Sequence, residues 1–93
     1  MKHGMPIGLQ HTRTTPEFTH ESTPEGLRRA HRVATGVWGR LKVSGGHVDF
    51  VFEGDDNTPV TVAAGEHIDI PPDTPHHVVT HPGCQFVVEF YAP

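Results

Sequence analysis

Nine histidines are scattered through 93 residues, and two of them close the stretch GEHIDIPPDTPHH, Gly65 to His77. Imidazoles are the commonest metal ligands in proteins and the readiest acid–base groups near neutral pH. Pro71, Pro72 and Pro75 lead into His76; each fixes a backbone dihedral and removes a donor from ladder pairing. A surface loop has no need of such stiffening, whereas a site that must aim a side chain does. The spacing predicts a turn at Gly65, a strand over EHIDI, a strand end at Pro71-Pro72, a turn supported by Asp73, and a new strand starting at His76. His77 then points to the opposite face of that strand.

Read from Gly65 to His76, the spacing resembles the second sequence motif of the cupin superfamily, with Asp73 in place of its second glycine and Thr80 in place of its asparagine. The first cupin motif has two histidines one residue apart, then a glutamate and a closing glycine. Anchoring that glycine at Gly45 puts the glutamate position at Trp38 and the histidine pair at His31 and Val33, so only His31 is retained. HTRTTPEFT, GVWGRLKVSGG, PPDTPHH and FVVEFYAP, in that order, more closely resemble the small cupin-like TehB/YeaR family, of tellurite-resistance and nitrate-response association. The resemblance runs from about Gly8 to Pro93 and implies a ligand set of His11, His31 and His76 with the acidic Glu89. Two of those histidines with Glu89 would make a 2-His-1-carboxylate site suited to iron(II) and acceptable to zinc; His11 would add a ligand or orient one. His31 and His76 alone would be too few for a tightly held metal. In that family the domain also occurs fused ahead of a methyltransferase. This chain is too short for one and lacks a glycine-rich nucleotide loop, so methylation is not carried over.

The elements that must position these residues are short strands. Val37, Gly39, Leu41 and Val43 alternate with Trp38, Arg40 and Lys42; a tight-turn signal follows at Ser44–Gly46; then Val48, Phe50 and Phe52 share a face. This pattern predicts a hairpin. VTVAAGEHIDI, HHVVT and QFVVEFYA continue it, giving six to eight strands at about ten-residue spacing, the pattern of an all-β sandwich or barrel. With the motifs, the expectation is a single cupin-like domain of jelly-roll type: a polar, proline-punctuated arm over 1–26 with a short strand around Gly8–Thr12, then a β-barrel over 27–93. In STPEGLRRAHR, Ser22 and Glu25 offer a capping box for a turn of helix, against which Gly26 and the β-leaning continuation count.

The cupin register would turn Trp38 and Arg40 inward, where Arg40 and Arg29 could hold an anionic ligand and Trp38 supply a wall. Without it, Trp38, Arg40 and Lys42 read as a solvated strand face. Glu89 lies between Val87 and Tyr91, with Phe86, Val88 and Phe90 opposite, so it requires a cation, a hydrogen-bond partner or water. His3, His20, His47, His67 and His81 lack a convergent setting in sequence and read as surface or turn residues. GDDNTP lacks calcium-loop spacing and reads as a solvated turn. Cys84 is the sole cysteine, so no intrachain disulfide forms.

A formal charge of −4 argues against a nucleic-acid partner, which calls for a basic stripe. No apolar stretch has the length of a signal-peptide core or a membrane span, and a cytoplasmic location is expected. A homodimer is also expected, since cupin-like sheets often pair and exposed edges need covering. The expected function is binding of a divalent transition metal, zinc or iron, together with a small molecule or anion in a stress response. The alternatives are a small metal-dependent oxygenase-type enzyme and a metal-free dimeric binding module.

Overall fold

The computed structural model describes residues 4–29, 31–54 and 57–93; His3, Asp55 and Asp56, read above as surface and turn residues, lie outside them. Among the described residues the chain forms β1 (Gln10–Thr14), β2 (Phe18–Thr19), β3 (Trp38–Gly45), β4 (His47–Phe52), β5 (Val60–Ala63), β6 (His67–Ile70), β7 (His76–Thr80) and β8 (Gln85–Ala92). The larger sheet runs β1-β8-β3-β6 with β2 also on β8, and the smaller runs β5-β4-β7. All named strand pairs are antiparallel. The architecture is an all-β, cupin-like sandwich.

The expected hairpin of β3 and β4 does not form. β3 pairs with β6 and β8, while β4 pairs with β5 and β7, so the chain changes sheets at Gly45–Gly46. The corner requires glycine: at Gly46 φ is +60°, and a Cβ there would meet the Gly83 carbonyl oxygen at 3.0 Å. The chain changes sheets again between β5 and β6, between β6 and β7, and between β7 and β8. Period-two alternation survives each crossing because both sheets turn their apolar faces to one core.

Leu41, Val48, Phe50, Ile68 and Phe86 form the centre of that core, each 0–1% exposed. Burying a side chain of this size is worth about 1.5–3 kcal/mol. The N-terminal segment lies along β8 as β1 and β2, where the Phe18 ring meets that of Phe86 at a centroid separation of 5.6 Å. The helical expectation resolves as one 3-10 turn, Glu25–Arg28, without a side-chain cap. The Ser22 hydroxyl instead accepts the Thr19 N–H at 2.8 Å, which leaves the capping box unformed.

Candidate functional site

The proline-rich stretch does locally what its residues require. Gly65 turns with φ +89°, and Asp73, at the place of a family glycine, adopts φ +56°. Asp73 tolerates this region because its short side chain and backbone find local partners. Its carboxylate accepts the Thr35 hydroxyl at 2.8 Å, and its N–H donates to the Val33 carbonyl at 3.0 Å. The same contacts fasten the turn to residues 33–35, next to His31. There, an isolated antiparallel bridge joins His31 and His76 through reciprocal backbone hydrogen bonds of 2.9 and 2.7 Å.

The two imidazoles therefore meet, edge to face, with centroids 4.8 Å apart. His76 is only 2% exposed and stacks on Phe50 at 5.0 Å. Its Nδ1 lies 2.9 Å from the Thr74 carbonyl oxygen, so Nδ1 carries the proton and Nε2 is left as an acceptor. Burial pushes the His76 imidazole down to about pH 4 and also lowers His31. Both rings are uncharged at neutral pH. They line a cavity of about 270 Å³ between the sheets, whose remaining wall is largely apolar, including Leu41, Phe50, Ile70 and Val88.

The other expected ligands are not brought to this pair. Glu89 lies on the outer face of the larger sheet, where it accepts the Tyr91 hydroxyl at 2.7 Å and pairs with Lys42 at 3.3 Å. Burial works to raise this carboxyl, but the hydrogen bonds from Tyr91 and Lys42 outweigh it and hold Glu89 below its ordinary range. His11 sits on the same outer face, its ring edge-on to Tyr91 at 5.6 Å and its Nε2 2.6 Å from the Thr14 hydroxyl. Strand alternation explains the separation: Val88 and Phe90 line the cavity, so Glu89 between them cannot.

Trp38 and Arg40 likewise turn outward, contrary to the inward face implied by the cupin register. Arg40 grips Asp69 through Nε at 2.7 Å and Nη2 at 3.2 Å, and the Met5 N–H adds a third bond to the carboxylate at 3.0 Å. Burial tends to raise the Asp69 carboxyl, but these contacts outweigh it and keep it below its ordinary range. Arg29 is exposed just beyond the 3-10 turn and is not among the cavity-lining residues. Among the described residues, the guanidinium at the cavity is that of Arg13, 4.5 Å over the Phe90 ring. A bulge in β1 between His11 and Arg13 sends these two residues to opposite sides, although simple alternation would keep them together.

A second meeting of side chains lies outside the ligand set expected from the sequence. His47, Asp49 and His81 converge on the outer face of the smaller sheet. The His47-x-Asp49 spacing on one strand was the available signal; the arrival of His81 depends on the β4–β7 register.

Two antiparallel sheets closed over one core, with an uncharged histidine pair in an apolar cavity, define a small all-β domain of cupin-like architecture. The TehB-like domain family matches residues 13–88, and the chain belongs to that family. Among solved structures, a protein from Escherichia coli strain K12 is similar with TM-score 0.86 and 26% identity, over 97% of each chain. TehB from Haemophilus influenzae is similar with TM-score 0.84 and 24% identity; the match covers 95% of this chain and 32% of that one. Protein NMB1881 from Neisseria meningitidis shares the fold with TM-score 0.54 and 14% identity, over 99% of this chain and 90% of that one. No curated protein matches the sequence.

Proposed function

We propose that this chain binds a small, largely apolar molecule between its two sheets and holds a hydrogen-bond-donating head group at His31 and His76. The observation that carries this reading is the state of His76: buried, uncharged, tied through Nδ1 to Thr74, with Nε2 left as an acceptor in an otherwise apolar wall. Small-molecule sites have this composition, a mostly apolar cavity with a few fixed polar groups that set orientation. Arg13 at the same cavity favours a ligand that carries any negative charge away from the acceptor nitrogen.

A second reading, a divalent transition metal on the same two histidines, draws on the same observation, because imidazoles held uncharged are ready ligands. With Glu89 and His11 on the outer face, His31 and His76 are two donors, fewer than the three or four protein ligands of a tightly held zinc. The residues do not form a complete set, and the bound molecule would have to supply the rest.

Methyl-detected NMR of the full chain against small hydroxylated aliphatic and aromatic molecules tests both readings. Saturable shifts centred on the methyls of Val33, Val78 and Val88, absent from a cavity-filling Val88→Phe variant, are expected without added metal. Shifts that require added Zn(II) or Fe(II) select the second reading. No saturable shift at these methyls under either condition overturns both.

A further inference from the structure

His47 and Asp49 lie two residues apart on β4, so their side chains leave the same face, opposite to that of the core residues Val48 and Phe50. The register of β4 on β7 pairs Val48 with Thr80 and Asp49 with Val79, which carries His81, one residue beyond β7, alongside His47. The two imidazoles stack at 4.5 Å with an interplanar angle of 25°, and one donor atom from each of His47, Asp49 and His81 lies within 4.8 Å of the others.

The carboxylate is already held for such a role. Asp49 Oδ2 lies 2.9 Å from His81 Nε2, and Oδ1 accepts the Thr61 hydroxyl at 2.8 Å from the neighbouring β5. Putting a metal in place of the proton shared by His81 and Asp49 requires only a small opening. The N···O edge of a tetrahedral site is about 3.3 Å for ligand bonds of about 2.0–2.1 Å. His47 completes the set by a side-chain rotation in solvent, since it is exposed.

We propose that His47, Asp49 and His81 form a divalent transition-metal site on the outer face of the smaller sheet, separate from the cavity. Two nitrogen donors among three select a zinc-like ion over calcium or magnesium, which take oxygen ligands. The fourth tetrahedral position opens to solvent and takes water or a ligand atom of a partner. Thr61 is a positioning residue: its hydroxyl fixes the carboxylate without touching the ion.

Zn(II) titration calorimetry of the metal-free full chain, with Co(II) absorption as a check on coordination, tests the assignment. One equivalent is expected to bind wild type. Affinity should fall at least about 100-fold in His47→Ala and His81→Ala, and about tenfold in Thr61→Val, the scale of losing an outer hydrogen bond to a ligand. Co(II) added to wild type should broaden NMR signals around 47–49 and 79–81, a result that depends on no variant. Broadening centred on His31 and His76, equal affinity in wild type and the His47→Ala/His81→Ala double variant, or no saturable binding by wild type overturns the proposal.

Discussion

The burial of His76 has a direct consequence for stability against acid. In the folded chain this imidazole titrates at about pH 4, against 6.5 for the free group, because protonation would place a charge where solvent scarcely reaches. Between these values the unfolded chain binds a proton that the folded chain refuses, so stability falls as pH drops. The contribution is fully present above about pH 6.5, declines steadily below it, and is spent near pH 4. At 1.36 kcal/mol per pH unit the full window amounts to about 3 kcal/mol, a large share of the roughly 5–15 kcal/mol that holds a small domain folded. The lowered carboxyls of Asp49, Asp69 and Glu89 act in the same direction, but from starting values of 3.8 to 4.5 downward, mostly beneath the histidine window. The perturbation is His76→Gln, which retains a donor for the Thr74 carbonyl but no titrating ring. Urea unfolding at pH 7, 6, 5 and 4.5 is the assay. Wild type should lose about 1.4 kcal/mol more than the variant for each pH unit between 6 and 5. With urea slopes of roughly 1–3 kcal/mol per molar, that difference moves the midpoint by about 0.5–1.4 M. Parallel stability curves for the two proteins between pH 7 and 4.5 would refute the account of a buried, neutral His76.

Asp69→Ala should destabilise the fold by about 1–2 kcal/mol, more than an exposed ion pair and less than a fully buried one, because it strands a part-buried Arg40 and the Met5 N–H; thermal unfolding reads this directly. Gly46→Ala should cost at least about 1 kcal/mol, since its φ of +60° and backbone atoms of Gly83 and Cys84 at 3.0–3.2 Å leave a Cβ no room; urea midpoints at neutral pH measure it, with Gly26→Ala, which has open space, as the comparison.

Alternation in VWGRLKV and HVDFVF correctly divides buried Leu41, Val43, Val48 and Phe50 from the outward residues between them. It cannot reveal that β3 and β4 belong to different sheets, because two sheets facing one core impose the same pattern as one sheet folded over it. The proline-rich stretch was legible because its work is local: Gly65 and Asp73 take the positive φ values that the turns require, and β7 begins at His76. His31 was legible only through family resemblance, as its meeting with His76 is a bridge across 45 residues. Alternation set Glu89 opposite Val88 and Phe90, which line the cavity; the ligand role came from the resemblance alone, which supplied an acidic position without its facing. Arg13 gave no signal at all, because its route to the cavity depends on a bulge that appears only when β1 is laid against β8.

The position of β8 governs the order in which the fold can be completed. Residues 85–92 lie between β1 and β3 and also hold β2, so strands made from residues 10–19 wait for a partner some 70 residues further along. Until that partner is in place, the β1 and β2 segments have no ladder, and β3 has β6 on one side only. Closing such long loops is slow, in the millisecond-to-second range typical of non-local β topologies. During synthesis at about 5–20 residues per second, the first segment would therefore spend several seconds unpaired. The polar, proline-punctuated character of that segment suits the interval, because an apolar strand left waiting would be an open template for aggregation.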